Sequence, residues 1–329
     1  MRRYNVAVVG ATGLVGRTFL QVMEEYGFPV GNLRLFASER SAGSKINYCG
    51  QEFTVEELSE NSFEGADIAL FSAGGAVSEK YAPIAAAAGA VVIDNSSRWR
   101  MENGIPLIVP EINIGDFSGG GIIANPNCST IQSVLPLYPL KKYGLKRVCY
   151  TTYQAVSGSG QKGKNDLFRT LNGDSPQFYP HDISKTCIPE IDVFLPDGYT
   201  KEERKMIDET RKILHMPELK VSATCVRVPV PNSHAVAIAA EFENEITVQD
   251  VVTALEGQDG VTVTNRPQEH VYPVSTLANG QDEVLVGRIR KDLSCENGIL
   301  MYSAADNIRK GAAANAVQIA MRLIKEGKI

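Results

Sequence analysis

Long apolar runs, blocks of like charge and clustered cysteines are absent from this sequence. None of its hydrophobic stretches reaches the roughly 20 residues that a membrane-spanning helix needs, and no signal-peptide pattern precedes the first strand-like segment. The net charge is −5, 22% of the residues are charged and no basic block occurs. Neither a nucleic acid nor an anionic membrane is therefore expected as the main partner.

Cysteine usage indicates a reducing compartment. The six cysteines include no C-x-x-C pair and no metal-type cluster, so the sequence predicts neither a metal site nor a disulfide framework. Scattered thiols in a chain of 329 residues are typical of a cytoplasmic protein. The same length exceeds what one ordinary core holds, which predicts two domains.

A glycine turn follows the first predicted strand. Residues 4–9 form a short apolar run, residues 10–16 read Gly-Ala-Thr-Gly-Leu-Val-Gly, and residues 17–26 have a helical pattern. Strand, glycine turn and helix form the context of a dinucleotide-binding fingerprint, here with GxxGxxG instead of GxGxxG spacing. Gly10 and Gly13 would let the backbone approach a pyrophosphate at the helix N-terminus. The alternative is a turn that serves only strand-to-helix packing.

The end of the second predicted strand indicates which dinucleotide binds. Residues 32–37 are β-like and precede Ser38-Glu39-Arg40-Ser41. An acidic residue at this place holds the ribose 2′-hydroxyl of NAD, whereas an arginine accommodates the 2′-phosphate of NADP. Because two hydroxyls flank the arginine, we favour NADP, with Ser38, Arg40 and Ser41 as its contacts. An exposed turn with a solvated charge pair is the alternative.

Further strands and helices alternate through the first 130 residues. The patterns predict strands at 66–71, 90–93 and 121–124 and a helix at 77–88, which indicates a parallel, doubly wound α/β sheet of the Rossmann type. Ligands bind at the carboxyl ends of such strands. Gly74, Arg100 and Cys128 follow those ends, so Arg100 becomes a candidate for binding an anion.

Cys128 is the candidate nucleophile. It follows Asn127, a favoured N-cap residue, and would therefore lie in the first turn of a helix. A helix N-terminus favours the thiolate over the thiol, and its unpaired N–H groups can hold an oxyanion. The alternative is a small buried hydrophobe.

The second half of the chain begins with another strand and another glycine turn. Residues 147–156 are β-like and lead into Ser157-Gly158-Ser159-Gly160. No strand-helix-strand unit is predicted after this turn, so it is not expected to be a second fingerprint. We expect its glycines to let the backbone pass close to a ligand.

Two helices are predicted beyond this turn. Thr200 and Glu203 form a capping box for a helix that runs to about residue 214. Glu209 and Lys212 lie on one face of it, where periodicity alone predicts a solvated ion pair. The second helix lies within residues 304–324, which close the chain, and Asp306 or Asn307 is its predicted cap. Its apolar stripe consists of Ala312, Ala316, Ile319, Ala320 and Leu323.

A predicted hairpin brings Arg227 and His234 together. Residues 220–228 and 234–242 alternate as strands around a turn at 229–233. With this turn centred on residues 230–231, Arg227 and His234 lie opposite each other on one face. They form either a surface pair or a carboxylate-binding fork beside a proton-transfer group. Of the four histidines, only His234 has such a setting.

Several motifs together resemble one enzyme family, the aspartate-semialdehyde dehydrogenases. The likeness runs from end to end, and its motifs are Val-Val-Gly-Ala-Thr-Gly-Leu-Val-Gly at 8–16, Asp-Asn-Ser-Ser at 94–97 with Arg-Met at 100–101, Pro-Glu-Ile-Asn at 110–113, Asn-Cys-Ser-Thr at 127–130, Tyr-Gln-Ala-Val-Ser-Gly at 153–158, Cys-Val-Arg-Val-Pro at 225–229 and Asp-Asn-Ile-Arg-Lys-Gly-Ala-Ala at 306–313.

The resemblance implies a role for each residue of the site. Cys128 is the nucleophile that forms an acyl-thioester, His234 is the acid–base catalyst and Gln154 orients the substrate. Arg227 binds the substrate carboxylate and Glu209 contacts its amino group. The implied phosphate-binding residues are Arg100, Asn127 and Lys212.

The resemblance also implies the reaction, the domains and the assembly. The reaction is the NADP- and phosphate-dependent interconversion of L-aspartate 4-semialdehyde and L-4-aspartyl phosphate, in lysine, methionine and threonine biosynthesis. Residues 1–127 plus 307–329 form the NADP-binding domain, residues 128–306 form an α+β catalytic and dimerisation domain, and the protein is a homodimer or homotetramer. The implied NADP contacts are Thr12, Gly13, Leu14, Val15, Arg40, Ser41, Ser157, Gly158 and Asn307.

Two stretches depart from the family pattern. Pro136 and Pro139 fall inside the helix after Cys128, and because an interior proline costs about 3 kcal/mol, we expect that helix to be short or kinked. Residues 184–189 replace an Asn-containing run expected near the nicotinamide, so no contact is predicted from them.

Three other functions compete with this hypothesis. A reductase acting on N-acetylglutamyl phosphate shares the two-domain plan and the Cys-His chemistry, but the Asn-Cys-Ser-Thr motif and the Arg-to-His spacing favour the aspartyl enzyme. A non-catalytic NADP-binding sensor has no need of a nucleophile. A thiol hydrolase leaves the phosphate loop unexplained.

Overall fold

The computed structural model describes residues 2–329, which divide into two compact units. One unit comprises the chain up to Pro126 together with Ala312–Ile329, and the other comprises Asn127–Gly311. No helix in the described chain is both long and apolar enough to cross a membrane.

Strands and helices are numbered along the chain. The strands are β1 (Tyr4–Val9), β2 (Val30–Ala37), β3 (Lys45–Tyr48), β4 (Gln51–Glu57), β5 (Ile68–Phe71), β6 (Val91–Asp94), β7 (Ile122–Ala124), β8 (Leu145–Gln154), β9 (Lys220–Arg227), β10 (His234–Phe242), β11 (Val261–Val263), β12 (Val284–Lys291) and β13 (Gly298–Ala305). The helices are α1 (Leu14–Glu25), α2 (Gly75–Ala87), α3 (Pro110–Asn113), α4 (Cys128–Leu137), α5 (Gly160–Leu171), α6 (Lys201–Ile213), α7 (Val248–Glu256), α8 (Ser275–Ala278) and α9 (Ala314–Lys325).

The first unit contains a seven-stranded sheet in the order β3-β4-β2-β1-β5-β6-β7. All neighbours are parallel except β3 and β4. Apart from Asn5, every residue of β1, β5 and β6 is buried, as expected when helices cover both faces of a parallel sheet. The predicted Rossmann-type, doubly wound sheet is confirmed.

The C-terminal helix belongs to the core of this first unit. The predicted apolar stripe is buried: Ala316, Ile319, Ala320 and Leu323 are completely inaccessible and join the core that includes residues of β1 and β2. Asp306 is the cap, as predicted: its Oδ1 accepts from the amides of Ile308 at 2.9 Å and Arg309 at 3.0 Å, and a π-helical turn at Arg309–Ala313 leads into α9. Ala304 and Ala305, which precede the cap, pair with β10 as the end of β13.

The second unit contains a six-stranded mixed sheet in the order β11-β12-β13-β10-β8-β9. The predicted hairpin of β9 and β10 is wrong, because β8 lies between them, parallel to β9 and antiparallel to β10. The segment predicted as a tight turn instead crosses the end of β8. There the amide of Val228 donates to Gln154 O at 3.0 Å, and the amide of Val156 donates to Val230 O at 2.9 Å.

A helix follows the second glycine turn, contrary to prediction. Residues 160–171 form α5, and β9 then pairs in parallel with β8, so a strand-helix-strand unit is present. Gly160 and Gly163 obscured the helix, since each glycine costs about 1 kcal/mol in a helix interior. Gly163 is required by packing, because a Cβ there would lie 2.5 Å from Val156 O.

Two predictions about helix ends are confirmed. The helix after Cys128 is short: α4 has ten residues, with Pro136 in its last turn and Pro139 in the 3₁₀ turn that follows. Thr200 and Glu203 form the predicted capping box of α6. Helix α6 packs against β9 and α4, which places one of its faces beside Cys128.

Candidate active site

Cys128 is the first residue of α4, and Asn127 caps that helix as predicted. The Oδ1 of Asn127 accepts hydrogen bonds from the amides of Ser129 at 2.9 Å and Thr130 at 3.3 Å. Cys128 itself is half-buried, whereas most of α4 is inaccessible. The alternative of a fully buried cysteine is therefore excluded, and its sulfur lies where a helix N-terminus stabilises a thiolate.

Gly311 lies directly against Cys128. A Cβ at Gly311 would be 2.7 Å from the Cβ of Cys128 and 3.2 Å from its Cα. Only a glycine allows this approach, so the backbone after β13 limits the space available to the thiol-bearing residue. The motif around residues 306–313 thus has a packing role that its sequence did not reveal.

Two carboxylates of α6 hold Asn127, and this corrects the prediction of a solvated ion pair on that helix. Glu209 is 1% exposed, and its Oε2 accepts the amide of Asn127 at 2.6 Å. Glu202, two turns earlier on the same face, is 5% exposed and accepts the Nδ2 of Asn127 at 2.8 Å. Lys212 is half-buried on the same helix. Burial of both acids changes them from surface charges into parts of the site.

Glu202 is a site residue that the sequence patterns did not single out. Its Oε1 also accepts a hydrogen bond from Gln154 Nε2 at 3.0 Å, and its Oε2 pairs with Lys205 Nζ at 3.0 Å. Burial alone would raise the pKa of Glu202, but the charge of Lys205 and the hydrogen bonds from the two amides lower it to about 2. The seven-residue spacing of Glu202 and Glu209 on one helical face was the available signal.

Gln154 is the last residue of β8 and is buried. Its Oε1 accepts from the hydroxyl of Thr152 at 3.2 Å, while its Nε2 donates to Glu202. The orientation of this amide is therefore set from both ends. Its parallel partner in β9 is Arg227.

Arg227 and His234 meet through the backbone of Ala155, not across a hairpin. The Nη1 of Arg227 donates to Ala155 O at 2.7 Å, and the amide of Ala155 donates to His234 Nδ1 at 2.9 Å. A Cβ at Gly158 would lie 2.8 Å from Arg227 Nη1 and 3.1 Å from His234 Nε2. The second glycine turn thus leaves room for both side chains.

His234 is buried as a neutral imidazole. Loss of hydration and the charge of Arg227 lower its pKa to about 3, although the charge of Glu202 acts in the opposite direction. Because Nδ1 accepts a hydrogen bond, the proton of the neutral ring is on Nε2. That Nε2 has no hydrogen-bond partner within residues 2–329, so it presents a donor to a ligand.

Asn307 also presents a buried hydrogen-bond donor. Its Oδ1 accepts from the hydroxyl of Ser157 at 3.0 Å and from the amide of Ser233 at 2.9 Å. Its Nδ2 is buried and has no partner among the described residues. A buried amide donor of this kind is costly unless a ligand accepts from it.

The first glycine turn has the geometry of a phosphate loop. Gly10 has φ +83°, and a Cβ there would lie 2.4 Å from Ser72 O, at the end of the neighbouring strand. Helix α1 begins at Leu14, three residues earlier than predicted, and its N-cap, Gly13, makes no side-chain cap. The first amides of α1 therefore lie within the turn, where an anion can accept from them. Thr12 precedes this N-cap and Leu14 is the first residue of α1, while Val15 packs against the core of the first unit.

The end of β2 presents exposed polar side chains. Ser38 and Arg40 are exposed and Ser41 is half-buried, and residues 39–41 form a 3₁₀ turn. The Arg40 side chain therefore extends toward solvent beside the carboxyl end of the strand. This geometry is compatible with both the cofactor contact and the exposed-turn alternative.

Gly74 and Arg100 follow the ends of β5 and β6. Gly74 has φ +86° and precedes α2. Arg100 is only 8% exposed, and its Nη2 donates to Asn95 O at 3.0 Å. Arg100 is therefore a buried cation and not a surface charge. Within the described chain no three side chains of His, Cys, Asp or Glu form a metal-binding group.

Two family models match the chain. Residues 5–118 match the semialdehyde dehydrogenase NAD-binding domain, and residues 135–310 match the semialdehyde dehydrogenase dimerisation domain. The chain is 54% identical to an aspartate-semialdehyde dehydrogenase of Aquifex aeolicus, over 99% of both chains. It is 48% identical to that of Bacillus subtilis, over 98% of both.

Solved structures show the same fold. A Vibrio cholerae aspartate semialdehyde dehydrogenase II complexed with ASA superimposes with a TM-score of 0.95 at 46% identity, over 99% of both chains. An aspartate semialdehyde dehydrogenase with NADP from Candida albicans superimposes with a TM-score of 0.81 at 26% identity, over 100% of both.

Proposed function

The chain belongs to the aspartate-semialdehyde dehydrogenase family of NAD(P)-dependent oxidoreductases, and on this premise we propose that it uses NADP and phosphate to interconvert L-aspartate 4-semialdehyde and L-4-aspartyl phosphate through a thioester on Cys128. One observation carries the proposal. A half-buried cysteine begins a capped helix, and the cap is joined through Glu202 to Gln154.

Cys128 and His234 divide the chemistry at the aldehyde. The thiolate bonds to the carbonyl carbon, and the negative charge moves to the oxygen. The Nε2–H of His234 then donates a hydrogen bond to this oxygen, which stabilises the alkoxide. When bound, the nicotinamide cofactor supplies the hydride acceptor that oxidation of this adduct to the thioester requires.

Phosphate completes the reaction. A phosphate oxygen attacks the thioester carbon, the C–S bond breaks, the acyl phosphate leaves and Cys128 is again a thiolate. We propose Arg100, Lys212 and Asn127 as the phosphate-binding residues. The buried guanidinium of Arg100 supports this, because arginine matches phosphate with paired N–H donors.

The two charged ends of the substrate need two fixed charges. The Nη1 of Arg227 is used by Ala155, while its Nε is buried without a hydrogen-bond partner in the described part of the chain. An unpartnered Nε fits a forked contact with the substrate carboxylate. Glu209, buried on α6, is the proposed partner of the substrate amino group.

The residues of the chain fit a nicotinamide cofactor. The buried Nδ2 of Asn307 lacks an acceptor within residues 2–329, and the first amides of α1 can hold a pyrophosphate. The exposed guanidinium of Arg40 supports NADP over NAD. The proposed contacts are Gly10, Thr12, Gly13, Leu14, Val15, Ser38, Arg40, Ser41, Gly74, Ser157, Gly158 and Asn307.

The match to a dimerisation domain shows that the second unit belongs to an oligomerising family. We propose a homodimer or homotetramer, in which the second sheet supplies the interface. Alternate residues of β8 are accessible, and Tyr153 is 39% exposed with its ring centroid 6.0 Å from that of Tyr302. We also propose residues 1–127 plus 307–329 as the NADP-binding domain and 128–306 as the catalytic domain. The cytoplasmic location stays a prediction.

A spectrophotometric assay tests the function. NADPH formation is followed with aspartate semialdehyde, with and without phosphate, and N-acetylglutamate semialdehyde is the competing substrate. We expect turnover that requires phosphate and aspartate semialdehyde. Turnover with the N-acetylated substrate alone would support the rival reductase, and cofactor binding without any turnover would support the sensor.

A further inference from the structure

Glu202 accepts hydrogen bonds from two side-chain amides of the candidate active site, those of Asn127 and Gln154. Its Oε1 accepts from Asn127 Nδ2 at 2.8 Å and from Gln154 Nε2 at 3.0 Å. Asn127 immediately precedes Cys128, and Gln154 ends the strand that precedes Ala155, which holds His234 and Arg227. A single buried oxygen therefore joins the segment that carries Cys128 to the segment that holds His234 and Arg227 through hydrogen bonds.

The carboxylate of Glu202 is itself fixed. Its Oε2 pairs with Lys205 Nζ at 3.0 Å, and the same Nζ pairs with Asp192 at 2.8 Å. A buried carboxylate with an ion pair on one oxygen and two amides on the other has little freedom to rotate. Hydrogen bonds to an ionised acceptor are roughly twice as strong as those to a neutral one.

The arrangement determines which way each amide points. With Nδ2 directed to Glu202, the Oδ1 of Asn127 faces the helix and caps α4. With Nε2 directed to Glu202, the Oε1 of Gln154 faces Thr152. An acceptor at residue 202 is incompatible with either amide in the flipped orientation, because an amide oxygen would then face a carboxylate oxygen.

We propose that Glu202 is a positioning residue for the reaction, which acts by orienting the amides of Asn127 and Gln154. The proposal rests on the proposed function of Cys128 and Gln154 and extends it to a buried carboxylate of α6. A misplacement of about 1 Å in such a site can cost about 10²-fold in rate.

The test compares Glu202→Gln with the matched control Glu203→Gln. Both changes remove one charge from neighbouring residues of α6. Glu203 contacts the amides of Thr200 and Cys225 and neither amide side chain of the site. For Glu202→Gln we expect kcat per folded enzyme to fall by about 10-fold to 10²-fold with the KM for NADP unchanged. Glu203→Gln should lower the melting temperature while kcat stays within about twofold of the wild type.

A double-mutant cycle separates positioning from a general structural role. If Glu202 acts partly through Gln154, Glu202→Gln should cost several-fold less in a Gln154→Ala background than in the wild type. Equal losses in the two backgrounds, or equal kcat for Glu202→Gln and Glu203→Gln, would overturn the proposal.

A second readout does not depend on turnover. The rate of Cys128 alkylation by iodoacetamide, followed by peptide mass spectrometry against exposed Cys187, should fall several-fold in Glu202→Gln because a disturbed cap stabilises the thiolate less. An unchanged rate contradicts the proposal even if the wild type proves inactive with aspartate semialdehyde. Failure of the proposed function is thus distinguishable from failure of the role of Glu202.

Discussion

Each of the two glycine turns of this chain connects a strand to a helix, but the groups packed against the two turns differ. The first connects β1 to α1 and the second connects β8 to α5, and each strand has a parallel neighbour. At the first turn, the Cβ missing from Gly10 would strike the backbone of Ser72. At the second, the Cβ missing from Gly158 would strike the side chains of Arg227 and His234.

The neighbouring strand explains the difference. Beside β1 lies β5, after which the backbone of Ser72 meets the first turn, so what this turn offers to a ligand is a row of N–H groups. Beside β8 lies β9, whose last residue is Arg227, so the second turn closes over the side chains of Arg227 and His234. A glycine-rich junction therefore indicates close approach, and its surroundings decide whether backbone or side chains meet the ligand.

The largest expected effect is a loss of turnover with no change in cofactor binding. Cys128→Ala removes the thiol from the second unit and leaves the first glycine turn untouched. We expect kcat to fall by at least about 10⁴-fold while NADPH affinity, measured by fluorescence titration, stays within about twofold. Exposed Cys187 provides the control Cys187→Ala, which should retain full turnover. Undiminished turnover in Cys128→Ala would end the mechanism.

Arg227→Lys tests whether the side chains packed against the second turn bind the substrate. A lysine keeps the charge but cannot reproduce the fork, so kcat/KM for aspartate semialdehyde should fall by about 10²-fold, or about 2.7 kcal/mol. The matched control is Arg147→Lys. Arg147 lies at the far end of β8 from Gln154, the residue that pairs with Arg227, so this variant should have normal kinetics. Near-normal kinetics for Arg227→Lys would remove Arg227 from the substrate site.

Gly10→Ala tests whether the first turn requires the close approach of its backbone to Ser72. Positive φ costs roughly 1–2 kcal/mol and the contact with Ser72 O adds roughly 1–3 kcal/mol, so urea unfolding should show a loss of about 3 kcal/mol together with weaker NADP binding. Gly27 has φ +60°, and a Cβ added there would have no atom within 4 Å, so Gly27→Ala should show only the conformational cost. Equal losses would mean that close approach is not what Gly10 provides.

The burial of His234 predicts how stability depends on pH. Its pKa is about 3 in the folded chain and about 6.5 when unfolded, so the unfolded state binds the proton first and stability falls as pH falls below about 6.5. At roughly 1.4 kcal/mol per pH unit, the wild type should lose about 2–3 kcal/mol between pH 6.5 and 4.5. Urea unfolding of His234→Gln should lack this component, and equal slopes for both proteins would contradict it.

The smallest effect concerns cofactor choice at the end of β2. Arg40→Ala should raise the KM for NADP by about 10-fold, or about 1.4 kcal/mol, and leave the KM for NAD nearly unchanged. Glu39→Ala is the comparison: if Glu39 held the ribose of NAD, that variant would weaken NAD instead. No change with either variant would favour the exposed solvated turn.

Much of the first unit follows from its sequence, because its signals are local. Strand β1 has the predicted bounds, and the α9 stripe is buried as predicted. In the second unit, the capping box of α6 and the Asn127 cap also follow from a few neighbouring residues. Such features depend on residues three or four positions apart, so periodicity and side-chain chemistry suffice to indicate them.

The second unit contains features that local sequence patterns do not predict. Whether β9 pairs with β10 or with β8 depends on which distant segment offers the longer register, and no local pattern contains that information. Likewise, Glu209 reads as part of a solvated ion pair, and Glu202 is not singled out, until another element covers α6.

The sequence by itself determined the strand-turn-helix start, the helix caps, the apolar stripe of α9 and the residue types available for chemistry. Only the tertiary structure decided that β8 separates β9 from β10, that Ala155 joins His234 to Arg227 and that Glu202 is buried between two amides. The reason is physical: local structure depends on neighbours along the chain, whereas the environment of a side chain depends on segments that folding brings from far away.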